Sequence, residues 1–214
     1  VEMDYYVYEN VFIEIKKRID EGLPLVPISM NISSVHLKEG ELMDYINYLF
    51  DKYPIPAKYV EFELTESIYI ENLEAALELI NSLRSKGIRI SMDDFGSGYS
   101  SLNLLNNLPI DILKLDKIFL NGDDLTANQK IIISCIIEMA AKLNIRVVCE
   151  GVETSEQVNF LTVIGCDMIQ GYYYAKPMPQ DDFNVYMDEH IKVKPTVVCF
   201  PFDGDLKSTD GKFE

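Results

Sequence analysis

The sequence predicts an α/β fold, a (β/α) barrel of parallel strands, from two features of the 214-residue chain. Segments with alternating apolar residues, typical of half-buried strands, take turns with segments whose apolar residues recur at helical spacing. Each predicted strand also ends in a polar side chain, and a barrel builds its site from such strand ends at one rim. An open doubly wound sheet usually begins with a glycine-rich phosphate loop, which this sequence lacks, so we favour the barrel.

The predicted helices are amphipathic and are bounded by residues that start or stop a helix. In the first, Tyr8, Phe12 and Ile15 share one face. Thr126 and Thr154 are suitable N-caps for two later helices. The predicted helices span Asp4–Glu21, Glu41–Phe50, Asn72–Lys86, Thr126–Leu143, Ser155–Ile164 and Asp181–His190, with a short helical turn near Leu102–Asn107.

The predicted strands are short and apolar on at least one face. In the second, Val60, Phe62 and Leu64 alternate with acidic residues. The six strands span Leu25–Asn31, Tyr59–Leu64, Ile88–Met92, Ile110–Leu115, Ile145–Cys149 and Asp167–Gln170. Because a full barrel has eight strands and this chain opens in a helix, we expect the fold to be N-terminally incomplete, with the missing part before Val1.

Composition excludes several functions. A formal net charge of −16 argues against a sequence-independent DNA or RNA binder, which needs a basic face. A small anionic substrate remains compatible with this charge if metal ions reverse the local field. No apolar stretch reaches the length of a membrane span. The four cysteines show no CxxC spacing, so we expect free thiols in a reducing cytoplasm.

The stretch from Ile88 to Leu102 is the most informative part of the chain. Its strand ends in the adjacent carboxylates Asp93 and Asp94, and a loop with two glycines and several hydroxyls follows. Two neighbouring like charges repel unless a positive charge lies between them. One carboxylate could cap the next helix while the other faces water. Alternatively, the two could form part of a divalent cation site.

The polar strand ends form an all-oxygen set, which Mg²⁺ or Mn²⁺ prefers and zinc does not. The members are Asn31, Glu63, Asp93, Asp94, Glu150 and Gln170. Because converging carboxylates need cations, we expect two ions, about 3.5–4 Å apart, able to clamp a phosphodiester during in-line displacement. Asp93 and Asp94 alternate in direction, so one could bridge the ions while the other binds one ion or a nearby water. Lys114 could orient or deprotonate the attacking water, or stabilise charge on the phosphate.

Each of these residues also has a purely structural interpretation. The alternatives are a turn or cap for Asn31, a solvated edge and helix start for Glu63 and Glu66, an ion pair of Lys114 with Asp116, and helix-dipole roles for Glu150 and Glu153. Gln170 alone indicates almost nothing. The coincidence of all these residues at successive strand ends favours the metal site.

Five segments of the chain carry a joint signal: Glu63-Leu64-Thr65-Glu66-Ser67, Asp93-Asp94-Phe95-Gly96-Ser97-Gly98-Tyr99-Ser100-Ser101-Leu102, Leu113-Lys114-Leu115-Asp116, Glu150-Gly151-Val152-Glu153-Thr154 and Gln170-Gly171-Tyr172. Together these segments resemble the EAL-domain family of bacterial cyclic-di-GMP phosphodiesterases, which fold as a modified TIM barrel. The segments occur in order and with short spacings, which makes the resemblance highly specific. We therefore expect one domain over residues 1–190 and a tail of unknown role over residues 191–214.

The resemblance implies hydrolysis of one phosphodiester of cyclic di-GMP to linear pGpG, with two Mg²⁺ or Mn²⁺ ions. It implies metal ligands at Asn31, Glu63, Asp93, Asp94 and Glu150. Lys114 would act on the catalytic water, and Asp94 and Glu150 would belong to the catalytic set. Supporting roles fall to Glu66, which would anchor the Asp94–Ser101 loop, to Gln170, beside a metal-bound water, and to Asp116 and Glu153.

The resemblance also implies a homodimer through the Asp94–Ser101 loop and tethered sensor or GGDEF-type domains in a longer signalling protein. One departure is that the Glu-Ala-Leu motif, whose Glu is a metal ligand on the first barrel strand, does not occur in the sequence. Either a segment before Val1 carries it, or the missing strand is contributed by something else. The alternative is a catalytically impaired domain that acts as a cyclic-di-GMP receptor or interaction scaffold. A two-carboxylate glycoside hydrolase is disfavoured because the chain has no tryptophan for sugar stacking.

Overall fold

The computed structural model describes residues 1–39, 41–97, 105, 107–122 and 125–191. Its centre is a six-stranded sheet in the order β1-β2-β3-β4-β5-β6, with every pairing parallel. The strands are β1 (Ile28–Asn31), β2 (Val60–Thr65), β3 (Arg89–Phe95), β4 (Ile112–Leu115), β5 (Arg146–Cys149) and β6 (Met168–Ile169). The sheet curls into a half-barrel with helices, which confirms the predicted fold class.

Helices connect the strands in the βα alternation that the sequence predicts. They are α1 (Glu2–Asp20), α2 (Val35–Glu39), α3 (Leu42–Lys52), α4 (Glu66–Glu71), α5 (Leu73–Ser85), α6 (Ala127–Lys142), α7 (Ser155–Val163) and α8 (Gln180–His190). Two 3₁₀ turns cover Ala57–Tyr59 and Lys117–Leu120. The helical turn predicted near Leu102–Asn107 lies mostly outside the described residues, as does the tail beyond Ile191. No helix in the described ranges is long and apolar enough to cross a membrane.

The helix starts follow the sequence closely. Thr126 and Thr154 each accept a hydrogen bond from the backbone N–H three residues later, and Gln129 and Gln157 complete two capping boxes. Both threonine N-caps are therefore confirmed. The short helices α2 and α4 were not predicted, because five or six residues are too few for a helical pattern to show.

The two faces of the sheet have different chemistry. The face that packs in the hydrophobic core carries apolar side chains such as Phe62, Met92 and Leu113, all fully buried. Tyr8 of α1 packs edge-on against Phe62, with 5.2 Å between ring centroids. The residues between these apolar ones point the other way, and they include Glu63 and Lys114. Strand periodicity therefore places the polar strand-end residues on one face.

Arg18 joins the first described helix to the last. Its side chain is 1% exposed, and its Nε donates to the carbonyl oxygen of Pro24 at 2.8 Å. Its Nη1 donates to Asn184 Oδ1 at 2.8 Å, and its Nη2 to Asp188 Oδ1 at 2.5 Å. Since Asn184 and Asp188 lie on α8, one buried guanidinium holds α8 against α1.

We predict that Arg18→Met lowers the free energy of unfolding by about 2–3 kcal/mol, because the partly exposed acceptors on Pro24, Asn184 and Asp188 lose a fully buried donor while the apolar stem is kept. Urea unfolding followed by circular dichroism measures this. Lys16→Met is the matched control: Lys16 pairs with Asp20 on the same helix, but both side chains reach solvent. It should change stability by less than about 0.5 kcal/mol. Equal shifts for the two variants would contradict the joining role of Arg18.

Candidate metal centre

The candidate centre lies at the carboxyl ends of four neighbouring strands. β2 brings Glu63, β3 brings Asp93 and Asp94, β4 brings Lys114, and Glu150 directly follows β5. The parallel register sets Thr65 opposite Asp93 and Leu115 opposite Cys149, the residue before Glu150. The predicted convergence of these side chains at one rim is therefore what the structure shows.

The side chain of Lys114 occupies the middle of this group. Its Nζ lies 3.0 Å from Glu63 Oε2, 2.9 Å from Asp93 Oδ1 and 2.8 Å from Glu150 Oε1. An ammonium group has three donors, so each carboxylate can take one. Lys114 pairs with these three carboxylates in the structure, so the structural alternative, an ion pair with Asp116, is wrong. Burial lowers the pKa of Lys114, but the hydrogen bond to Glu150 and the charge of Glu63 outweigh it, and the net direction is upward.

Asp93 and Asp94 do not diverge as a regular strand would require. Carboxylate oxygens of Asp93, Asp94 and Glu150 lie within 4.8 Å of one another. Asp94 has a φ of 57°, and the pairing of β3 with β4 shifts register between Met92 and Phe95. This irregularity turns both carboxylates toward the same place, so the expectation of alternating directions is wrong.

The pKa directions show that this group of carboxyl side chains resists negative charge. Burial raises the pKa of Glu63, of Asp94 and of Glu150. Lys114 acts against this rise in all three, while the charge of Asp93 adds to it. One ammonium contacts three carboxylates and a fourth, Asp94, lies beside them, and the excess negative charge of carboxylate oxygens is what Mg²⁺ or Mn²⁺ binds. The donor set therefore fits hard divalent cations.

The remaining predicted residues lie around this group. Asn31 ends β1 with an exposed side chain, and its backbone carbonyl accepts a hydrogen bond from the Tyr8 hydroxyl at 2.7 Å. Gln170 follows β6 and is also exposed, with its N–H bonded to the Cys149 carbonyl at 2.9 Å. Ligand roles for Asn31 and Gln170 stay predictions.

The predicted supporting residues have distinct environments. Glu66 is the first residue of α4 and is 4% exposed. Its anchoring of the Asp94–Ser101 loop stays a prediction, since residues 98–101 lie outside the described part of the chain. Asp116 contributes to the raised pKa of Asp94 and accepts a hydrogen bond from the Ile118 N–H at 2.7 Å. Glu153 is exposed, and its N–H donates to Gln157 Oε1 at 2.8 Å.

Sequence reasoning missed the segment Lys117–Leu120, which follows β4 and contacts the turns after Asp94 and Glu150. Its one sequence signal is Asp116, an N-cap residue type that precedes the turn.

A family model described as EAL domain matches residues 1–177 of this chain. Among curated proteins, the chain is 36% identical over 170 residues to signaling protein YkoW of Bacillus subtilis, covering 79% of this chain and 21% of that protein. It is 34% identical over 178 residues to cyclic di-GMP phosphodiesterase NbdA of Pseudomonas aeruginosa, covering 83% of this chain and 23% of that protein. The chain thus spans less than a quarter of the length of either relative.

Solved structures share the fold. The PaMucR phosphodiesterase in complex with c-di-GMP matches with a TM-score of 0.77 and 31% identity over 86% of this chain and 80% of that one. A manganese and cyclic di-GMP complex of Klebsiella pneumoniae BlrP1 matches with a TM-score of 0.69 and 25% identity over 82% of this chain and 44% of that one.

We predict that Lys114→Met in metal-free buffer at pH 8 lowers the free energy of unfolding by on the order of 3 kcal/mol, because the carboxylates lose their shared cation. Because the pKa values of these carboxyl groups are raised, the folded chain binds protons more readily than the unfolded chain. Protonation of the carboxyl groups therefore stabilises the fold at low pH, and this stabilisation is lost as pH rises. Without Lys114 the pKa values rise further above those of the unfolded chain, and the variant should regain stability as pH falls from 8 toward 5.

Urea midpoints measured in EDTA across this pH range test the prediction. Lys142→Met serves as the control, because Lys142 pairs with Glu138 on the exposed face of α6. The control should follow the wild type at every pH. A Lys114→Met curve parallel to the wild-type curve would show that the carboxylates do not depend on the ammonium.

Proposed function

The chain belongs to the EAL domain family, and on this basis we propose that it is a metal-dependent phosphodiesterase domain that hydrolyses cyclic di-GMP to linear pGpG. The observation that carries the proposal is the cluster at the strand ends, where three carboxylate groups come within 4.8 Å of one another beside Lys114. Support comes from relatives named as cyclic di-GMP phosphodiesterases and from family structures that contain the dinucleotide.

The metal-binding role falls to the oxygen ligands of the cluster. Asp93, Asp94 and Glu150 would hold two Mg²⁺ or Mn²⁺ ions, with Glu63 and Asn31 at the neighbouring strand ends completing the set. When bound, such ions activate water and offset negative charge on a phosphodiester. The manganese complex of BlrP1 supports this choice of cofactor.

Lys114 is suited to donate hydrogen bonds rather than to accept a proton. Its pKa is shifted upward in the arrangement described, so the ammonium form persists at neutral pH. A fixed ammonium beside the reacting phosphate orients the attacking water and stabilises the charge that develops on phosphate oxygens. Of the roles that the sequence left open for Lys114, orientation and charge stabilisation are therefore preferred over deprotonation.

Homodimerisation through the Asp94–Ser101 loop and tethering to sensor or GGDEF-type domains belong to the same proposal. The relatives are several times longer than this chain, and one of them is named as a bifunctional diguanylate cyclase and phosphodiesterase, MucR. These facts support a place in a longer signalling protein.

A second candidate is a receptor that binds cyclic di-GMP without turning it over. The observation in its favour is that the Lys114 ammonium contacts three of the four carboxylates at 2.8–3.0 Å, which offsets part of the negative charge that a second metal ion needs. Isothermal calorimetry with cyclic di-GMP in EDTA separates the two candidates. Metal-independent binding together with no pGpG in Mg²⁺ or Mn²⁺ favours the receptor.

We predict that the chain converts cyclic di-GMP to pGpG in Mn²⁺ or Mg²⁺, and that Glu150→Gln lowers kcat by at least about 100-fold. The amide loses the negative charge that the metal site needs, and even weaker perturbations around metal ligands cost roughly 10–100-fold. Chromatography of the nucleotide products measures the rate. Glu138→Gln on the exposed face of α6 is the matched control and should keep the wild-type rate. Equal rates for Glu150→Gln and wild type would rule out this site.

A further inference from the structure

The segment Lys117–Leu120, a 3₁₀ turn after β4, lies against both turns that follow the candidate metal ligands. One turn contains Gly96, two residues after Asp94, and the other contains Gly151, directly after Glu150. The segment therefore spans the gap between the ligands of β3 and the ligand of β5.

The first contact is between Phe119 and Gly96. A Cβ added to Gly96 would lie 2.2 Å from Phe119 Cε2 and 2.3 Å from Cζ, so the ring rests directly on the glycine backbone. Gly96 has a φ of 99°, a conformation that side chains disfavour. Close packing of the ring thus fixes the backbone two residues after Asp94.

The second contact is between Lys117 and Gly151. A Cβ added to Gly151 would lie 2.4 Å from Lys117 Cβ and 3.4 Å from Lys117 Cα. Gly151 also has a positive φ, 67°. The same short segment therefore fixes the backbone immediately after Glu150.

Two helices hold the segment from behind. Gln129 Nε2 donates to the carbonyl oxygens of Phe119 at 3.3 Å and Asn121 at 2.9 Å. Gln157 Nε2 donates to the carbonyl oxygen of Leu120 at 3.1 Å, and Gln157 is 4% exposed. Both glutamines also complete the capping boxes of α6 and α7, so each amide is oriented at both ends.

We propose that the Lys117–Leu120 segment is a brace that sets the separation between the Asp93–Asp94 pair and Glu150, and that Phe119 is a positioning residue for metal binding. The carboxylates repel one another, and the single ammonium of Lys114 between Asp93 and Glu150 offsets only part of that repulsion, so a further contact is needed to keep their turns from moving apart. A metal site requires ligand oxygens at nearly fixed separations. This inference rests on the proposed metal-binding function, because it assigns the residue that positions the ligands of that site.

The first test uses Mn²⁺ alone, followed by electron paramagnetic resonance of the free ion. Phe119→Ala should weaken Mn²⁺ binding by roughly 10–100-fold, as removal of outer-shell partners of metal ligands does. Phe119→Leu, which keeps apolar volume against Gly96, should bind more tightly than Phe119→Ala. Ile118→Ala is the matched control: it lies in the same turn, its side chain is 48% exposed, and it should keep wild-type affinity.

The second test is hydrogen exchange of the metal-free chain, read by mass spectrometry. Phe119→Ala should speed exchange in peptides covering residues 92–97, where the Ser97 N–H bonds to the Asp94 carbonyl at 3.1 Å. It should also speed exchange in residues 149–153, and Ile118→Ala should change neither. If Phe119→Ala does not fold, Phe119→Leu is measured in its place, with the same directions and smaller effects.

These readouts separate the two proposals. Wild-type protein that binds no Mn²⁺ counts against the proposed function, and the exchange data on metal-free protein still decide whether the brace exists. Unchanged exchange at both turns in a folded Phe119 variant overturns the brace. Faster exchange with wild-type Mn²⁺ affinity overturns the positioning role, because the turns would then move without altering the site.

Discussion

The ammonium group of Lys114 is the interaction on which the rim of the half-barrel depends. Ionised oxygens closer than 4.8 Å repel by at least about 3 kcal/mol per pair at an effective dielectric near 20. Lys114 stands on β4 and contacts carboxylates carried by β2, β3 and β5, so one positive charge links four strand ends. It cannot neutralise them all, and the same arrangement that holds the strands together leaves an anionic group suited to divalent cations.

The surrounding fold converts this electrostatic balance into a fixed geometry. The carboxyl ends of parallel strands place the ligands at one edge, but strands of four to seven residues do not fix the turns that follow them. The segment Lys117–Leu120 packs against those turns, and hydrogen bonds from Gln129 and Gln157 hold the segment. The same two amide side chains cap helices, so residues that start the helices also help to fix the geometry of the site.

Local patterns predicted the fold well, and contacts distant in sequence set the limit of that prediction. Strand periodicity and the Thr126 and Thr154 caps depend on residues within one turn or one strand, so they could be inferred directly. The shared orientation of Asp93 and Asp94 could not, because period-2 reasoning assumes a regular strand and Asp94 leaves it. The contact of Phe119 with Gly96 joins two rim loops whose relative position depends on the assembled sheet.

One residue at this rim breaks a local rule of backbone conformation. Asp94 and Asn144 are the non-glycine residues with positive φ in the described part of the chain. Asn144 follows the end of α6, where a left-handed residue is an ordinary helix ending, whereas Asp94 lies within a strand, where the same φ costs about 1–3 kcal/mol. Such strain persists only where surrounding contacts over-determine it. Lys114 on one side and the Phe119–Gly96 contact on the other supply that constraint. The convergence of the carboxylates therefore requires both the strained backbone at Asp94 and the contacts that hold it in place.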